Sequence, residues 1–193
     1  MLKRVQVVGV ALAVSIGIVP AGAWSQSTVG VLYTVIVPAG DFGSANFTRQ
    51  LVSSLATAKA FCGGLDKSAY RVDCLSERLQ VVSDGIPEGT DYDEVRQVLE
   101  AASAEMALLA RDNRDPDLPR APASRQGDSS ERSTRPLSPV ASGAQAEVGE
   151  RAIAILEQAQ TQLLRSAEGS NGRSLQYAQI AQAIDSTKVL LRS

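Results

Sequence analysis

The sequence predicts an all-α fold, a small helical bundle of three helices plus a C-terminal helical hairpin, joined by a disordered linker and preceded by a short extended segment. Three observations predict it. Apolar residues recur three and four apart in five separate stretches. Glycines fall where most of those stretches stop, and between the third and fourth the chain changes abruptly to proline, serine and arginine.

The first residues read as a signal peptide. Lys3 and Arg4 precede an apolar run from Val5 to Val19, Pro20 ends the run, and Ala21-Gly22-Ala23 sets small residues where a signal peptidase requires them. Cleavage is expected after Ala23, with Ala23-Trp24-Ser25 as a second frame that cuts after Ser25. The run of about 15 residues, interrupted only by Gln6, Gly9, Ser15 and Gly17, is shorter than the roughly 20 of a spanning helix. A cleaved signal peptide is therefore expected over the alternative of an uncleaved membrane anchor, with no stable membrane span after cleavage. The expected compartment is a periplasm or the exterior. Loss of the two positive charges Lys3 and Arg4 takes the formal net charge from −2 to −4.

Residues 24–43 form the extended segment, in which the β-branched run 29–37 (VGVLYTVIV) ends at Pro38-Ala39-Gly40. Residues 44–112 form the three-helix region. Phe47, Leu51, Leu55, Ala58 and Cys62 line one face of the first helix, and Gly63-Gly64 ends it. Tyr70, Cys74, Leu75, Leu79 and Val82 line the second, expected from Asp66 to Asp84 with Gly85 as its stop. Thr90 and Asp93 resemble a capping box for the third, whose buried stripe is Val95, Val98, Leu99, Ala102, Met106 and Leu109.

Cys62 and Cys74 are the only cysteines and suit a single disulfide in an oxidising compartment. The bridge would pin the first two helices at their turn and stabilise the fold by roughly 3 kcal/mol in the chain-entropy model. Their eleven intervening residues are unlike the Cys-x-x-Cys of redox pairs.

Residues 113–143 hold five of the eight prolines, five arginines and four acids, with Leu118, Leu137 and Val140 as the only large apolar residues. This composition predicts a disordered linker with a reach of about 30 Å. Within it, residues 132–139 (RSTRPLSP) read as linker composition, with a short docking motif as the alternative. Residues 144–193 form the C-terminal hairpin, with Val148, Ala152, Ile155, Leu156, Ala159 and Leu163 on one helix and Tyr177, Ile180, Ala181, Ile184 and Leu191 on the other. So small a unit is expected to pack on the first three helices or on a second copy of itself.

The chain contains no histidine, which excludes Ser-His-Asp and Cys-His catalysis and histidine-built zinc sites. Asp41-Phe42-Gly43 matches a kinase tripeptide without its companion motifs, and no phosphate-cradling GxxxxGK[ST] or GxSxG elbow is present. The mild acidic balance and lack of a basic cluster argue against nucleic acid. Asp84, Glu88, Asp91, Asp93 and Glu94 suggest either a weak Ca²⁺ site or acids complementing the dipole of the third helix, and the dipole reading is preferred. Asp112, Asp115 and Asp117 form a weaker acidic group. Glu77 with Arg78, and Glu150 with Arg151, read as solvated helix faces.

The expectation is therefore a non-catalytic exported protein, a protein-interaction or structural module of the cell envelope. Its partner would be another envelope protein or itself, and no catalytic, cofactor or metal residue is assigned. Binding of a small ligand or cation is the alternative, and a carboxylate-dependent hydrolase of envelope glycan is a further one.

Overall fold

Among the described residues, five α-helices form close to where the apolar periodicity places them, the second starting at Arg71 and not at Asp66. The computed structural model describes residues 45–125, 128–168 and 173–192. The expected signal peptide, the segment 29–37 and Asp41-Phe42-Gly43 lie outside the described residues. Helix α1 is Ala45–Gly63 and α3 is Asp93–Asp112. Helix α2, Arg71–Asp84, follows a 3-10 turn at Ser68–Tyr70. Helices α4, Gln145–Ser166, and α5, Ser174–Thr187, make the C-terminal hairpin, and a 3-10 turn at Lys188–Leu191 follows. The all-α class is what the sequence predicts.

Each helix packs on the next, and α5 returns to α1, so the five close into a ring. The C-terminal hairpin docks on the first three helices. Leu55, Leu75, Leu99 and Met106 share one core with Leu156, Leu163, Ile180 and Ile184, all of them fully buried. Cys62 near the end of α1 and Cys74 in the first turn of α2 are bridged, with Cα atoms 5.7 Å apart, and both are buried. No helix among the described residues is long and apolar enough to cross a membrane.

The turn between α2 and α3 carries a modified version of the expected capping box. Gly89 adopts φ +72°, a left-handed conformation that suits glycine. Its N–H donates to both carboxylate oxygens of Asp93 at 3.1 and 3.0 Å, while Thr90 Oγ1 accepts from the N–H of Tyr92 at 3.2 Å. Both bonds fall one residue earlier than a capping box would place them, so α3 begins at Asp93 and Tyr92 turns inward. Tyr92 is buried, meets Phe47 edge-on at 4.5 Å between ring centres, and shares a hydrogen bond of 2.9 Å with the hydroxyl of Thr48. Tyr177 of α5 lies beside it, and its hydroxyl donates to the Asp91 carbonyl at 2.6 Å. Three rings thus tie α1, α3 and α5 together.

The disordered linker expected at 113–143 is corrected by the structure. In its described residues the segment runs out and back as an irregular antiparallel strap. Arg114 faces Val140, Ala121 faces Leu137, and the short strands β1, Ser124–Arg125, and β2, Asp128–Arg132, pair beyond them. The five prolines, which cannot donate to a ladder, lie at 116–122 and 136–139, where the pairing is reduced to isolated bridges. Leu137 and Val140 enter the common core. They supply the apolar anchor that the composition of the whole stretch conceals.

Two predictions follow from this packing. A Cβ on Gly149 would stand 2.7 Å from the Leu191 carbonyl oxygen, so Gly149→Ala is expected to lower the melting temperature although alanine gains about 1 kcal/mol in helix propensity. A higher melting temperature would show that the 3-10 turn yields freely. Burial, more than the charges around it, holds the Tyr177 hydroxyl above the usual tyrosine range, and a hydrogen bond to Asp185 raises Lys188. Both groups hold their protons more tightly in the folded state. Their contribution is complete below about pH 10 and is lost as pH rises through the folded values. Tyr177→Phe is expected to cost about 1 kcal/mol near neutral pH through the lost hydrogen bond and to flatten the fall in stability above about pH 10, read from urea unfolding across pH.

Candidate interaction site

Helix α2 decides which surfaces of the bundle remain open. It is buried nearly all round, although it carries Asp73, Ser76, Glu77 and Ser83. Ser76 and Ser103 let α2 and α3 approach closely, each hydroxyl donating to the other's carbonyl at 2.9 and 2.8 Å. The strap covers the charged side. Arg135 grips the Asp73 carboxylate with two hydrogen bonds of 2.8 and 2.7 Å, and the Ser138 N–H donates to the same carboxylate at 2.6 Å. That pairing holds the Arg135 guanidinium above its ordinary pKa. Glu77 accepts from the N–H and hydroxyl of Thr134 at 2.8 and 2.7 Å and pairs with Arg78 at 2.9 Å. Arg78 in turn stacks 4.1 Å above the centre of the Phe61 ring and donates to the Arg132 carbonyl.

The Glu77 and Arg78 pair is therefore not a solvated face, since Glu77 is only 2% exposed. The residues 132–139 do dock, but on this chain's own α2. Elsewhere the strap is held by the Val140 N–H to the Ala69 carbonyl at 2.8 Å and by the Tyr70 hydroxyl to the Pro119 carbonyl at 2.7 Å.

The acids around the α2–α3 turn are not gathered into one site. Asp84 accepts from Gln80, Asp91 pairs with Arg173 at 3.8 Å, and Glu94 accepts from Ser166. Asp93 serves the Gly89 N–H and lies 3.7 Å from Arg96, whose pKa is raised chiefly by its hydrogen bond to Glu100. In the second acidic group, Asp115 Oδ1 accepts the Asp117 N–H in a local turn, while Asp112 faces elsewhere. Among the described residues, no three His, Cys, Asp or Glu side chains form a group that could hold a metal ion.

Among the described residues, an open surface is the groove between α3 and α4. Glu105, Leu108, Leu109 and Asp112 line its α3 wall, and Arg151, Ala154 and Ile155 its α4 wall, enclosing about 370 Å³. It is shallow and open. The sequence explains why it is apolar at its centre. The adjacent Leu108 and Leu109 cannot both face the core of a helix. Leu109 is buried, whereas Leu108 is 50% exposed. That pair was the signal in the sequence for this site, and the core stripe alone passes over it. Ile155, expected inward, is only half-buried and forms part of the opposite wall. Arg151 and Glu150 are exposed, as expected of them.

No protein-family model, curated protein or solved structure matches the chain. The functional reading therefore rests on its own side chains. A bridged cysteine pair and the lack of a membrane-crossing helix among the described residues are compatible with a secreted protein.

The grip of the strap on α2 is testable by who is left stranded. Removing Arg135 leaves a carboxylate that is 1% exposed with one N–H partner, whereas removing Asp73 leaves a guanidinium about a third exposed that can turn to water. Arg135→Ala is expected to cost about 2–3 kcal/mol, and adding Asp73→Ala to recover part of that loss. Urea unfolding of the two single variants and the double variant measures it, and simple additivity would mean that the pair is not coupled.

Proposed function

We propose that the protein is an exported, non-catalytic helical module that makes protein contacts in the cell envelope or outside the cell. The groove between α3 and α4 is its contact face. The observation that carries this reading is Leu108, a large apolar side chain half exposed at the centre of a surface depression rimmed by charges. Apolar centres with polar rims are the usual anatomy of contact surfaces.

Two further features support the reading. The charged residues of α2 are occupied within the fold by the strap, which leaves them committed to stability. The buried disulfide suits an oxidising compartment, in line with the signal-peptide character of the first 23 residues. A groove of mixed apolar and charged character on a helical bundle is suited to holding a partner.

The test is Leu108→Asp, a change at an exposed position that leaves the core intact. Crosslinking in the native envelope or culture medium is expected to give adducts with the wild-type chain and to lose them with the variant, at an unchanged melting temperature. Adducts that persist undiminished in the folded variant would remove the groove from the reading.

A further inference from the structure

We infer that the occupant of the α3–α4 groove is the same groove of a second copy of this chain. This rests on the contact-face reading above. The two walls of the groove carry opposite charge, with Glu105 and Asp112 on α3 and Arg151 on α4.

These charges have little to satisfy them within one copy. Among the described residues, the side chains of Glu105 and Asp112 make no hydrogen bond or ion pair. Arg151 has only Glu147, one turn earlier on its own helix, at 4.0 Å, and both side chains are mostly exposed. A pair so exposed contributes little to stability.

A twofold axis running along the groove converts this arrangement into complementarity. It lays α3 of each copy over α4 of the other, so that an acidic wall meets a basic one twice. Leu108 of each copy then falls against Ala154 and Ile155 of the other, which buries the exposed apolar centre. Such an isologous contact is closed and makes a dimer, not a filament. A uniformly basic or uniformly acidic partner would instead meet one wall of its own sign, at a cost in affinity.

The groove is small beside the interfaces of tight complexes, so the association is weak and sensitive to salt. Sedimentation equilibrium of the mature protein at concentrations up to about 1 mM and low ionic strength should show a reversible dimer. Leu108→Asp and Arg151→Glu are each expected to raise the dimer dissociation constant about tenfold or more. The double variant Glu105→Arg with Arg151→Glu exchanges those two charges at constant net charge while leaving Asp112 in place, and it is expected to recover part of the dimerisation that Arg151→Glu alone loses. An unrelated partner would not follow that exchange.

The outcomes separate the two readings. A wild-type chain that stays monomeric, while crosslinked adducts still depend on Leu108, overturns the second copy and leaves the contact face standing. Loss of both removes the contact face as well. A dimer indifferent to Leu108, or one that the charge exchange fails to restore, uses another surface and overturns the inference.

Discussion

The carboxylate of Asp73 is the constraint on which the rest of the structure depends. A charge buried to 1% exposure is tolerable only with its partners in place, and they are Arg135 and the Ser138 N–H, more than sixty residues along the chain. Meeting that demand draws residues 133–140 onto α2. Once there, Leu137 and Val140 close the core and Thr134 satisfies Glu77. The polar face of α2 and the polar composition of the strap are two halves of one arrangement.

The disulfide and the strap act on the same short stretch from opposite sides. Cys74 fixes the start of α2 to α1, and the next residue towards the N-terminus, Asp73, fixes it to the strap. The side chains on that turn are thus held covalently inward and electrostatically outward. This explains how a helix with four buried polar residues is accommodated as a member of the ring of five. With most of α2 enclosed, the α3–α4 groove is one of the places among the described residues where a large apolar side chain remains uncovered, as Leu164, Leu175 and Val189 also do elsewhere.

The helices were legible because their apolar residues keep a 3.6-residue period, and α1, α3 and α4 lie close to where that period puts them. The strap was not legible. Five prolines and many charges look the same in a disordered linker and in an ordered segment whose hydrogen bonds go to side chains of another element. What separates the two cases is the buried acid on α2, and Asp73 and Glu77, four apart, look like any exposed helix face until their partners are known. Tyr92 escaped notice for a similar reason, since it sits one residue outside α3 and its burial depends on the turn at Gly89. Of the contact face, Leu108 was readable as the surplus member of a Leu-Leu pair, but its opposition to Arg151 required the packing of α3 on α4.

The span of the strap's contacts has a consequence for the order of assembly. The disulfide joins residues 12 apart, whereas Thr134 and Ser138 reach partners 57 and 65 residues away. Closing the longer loop costs about 1.4 kcal/mol more in chain entropy, and it is recovered only when the strap reaches the carboxylates of α2. By sequence separation, the strap is therefore expected to dock after the local contacts have formed, and the closure of α5 on α1 spans more of the chain still. Until the strap docks, α2 presents a wet, negatively charged flank, and the docking of the strap is the drying of that flank.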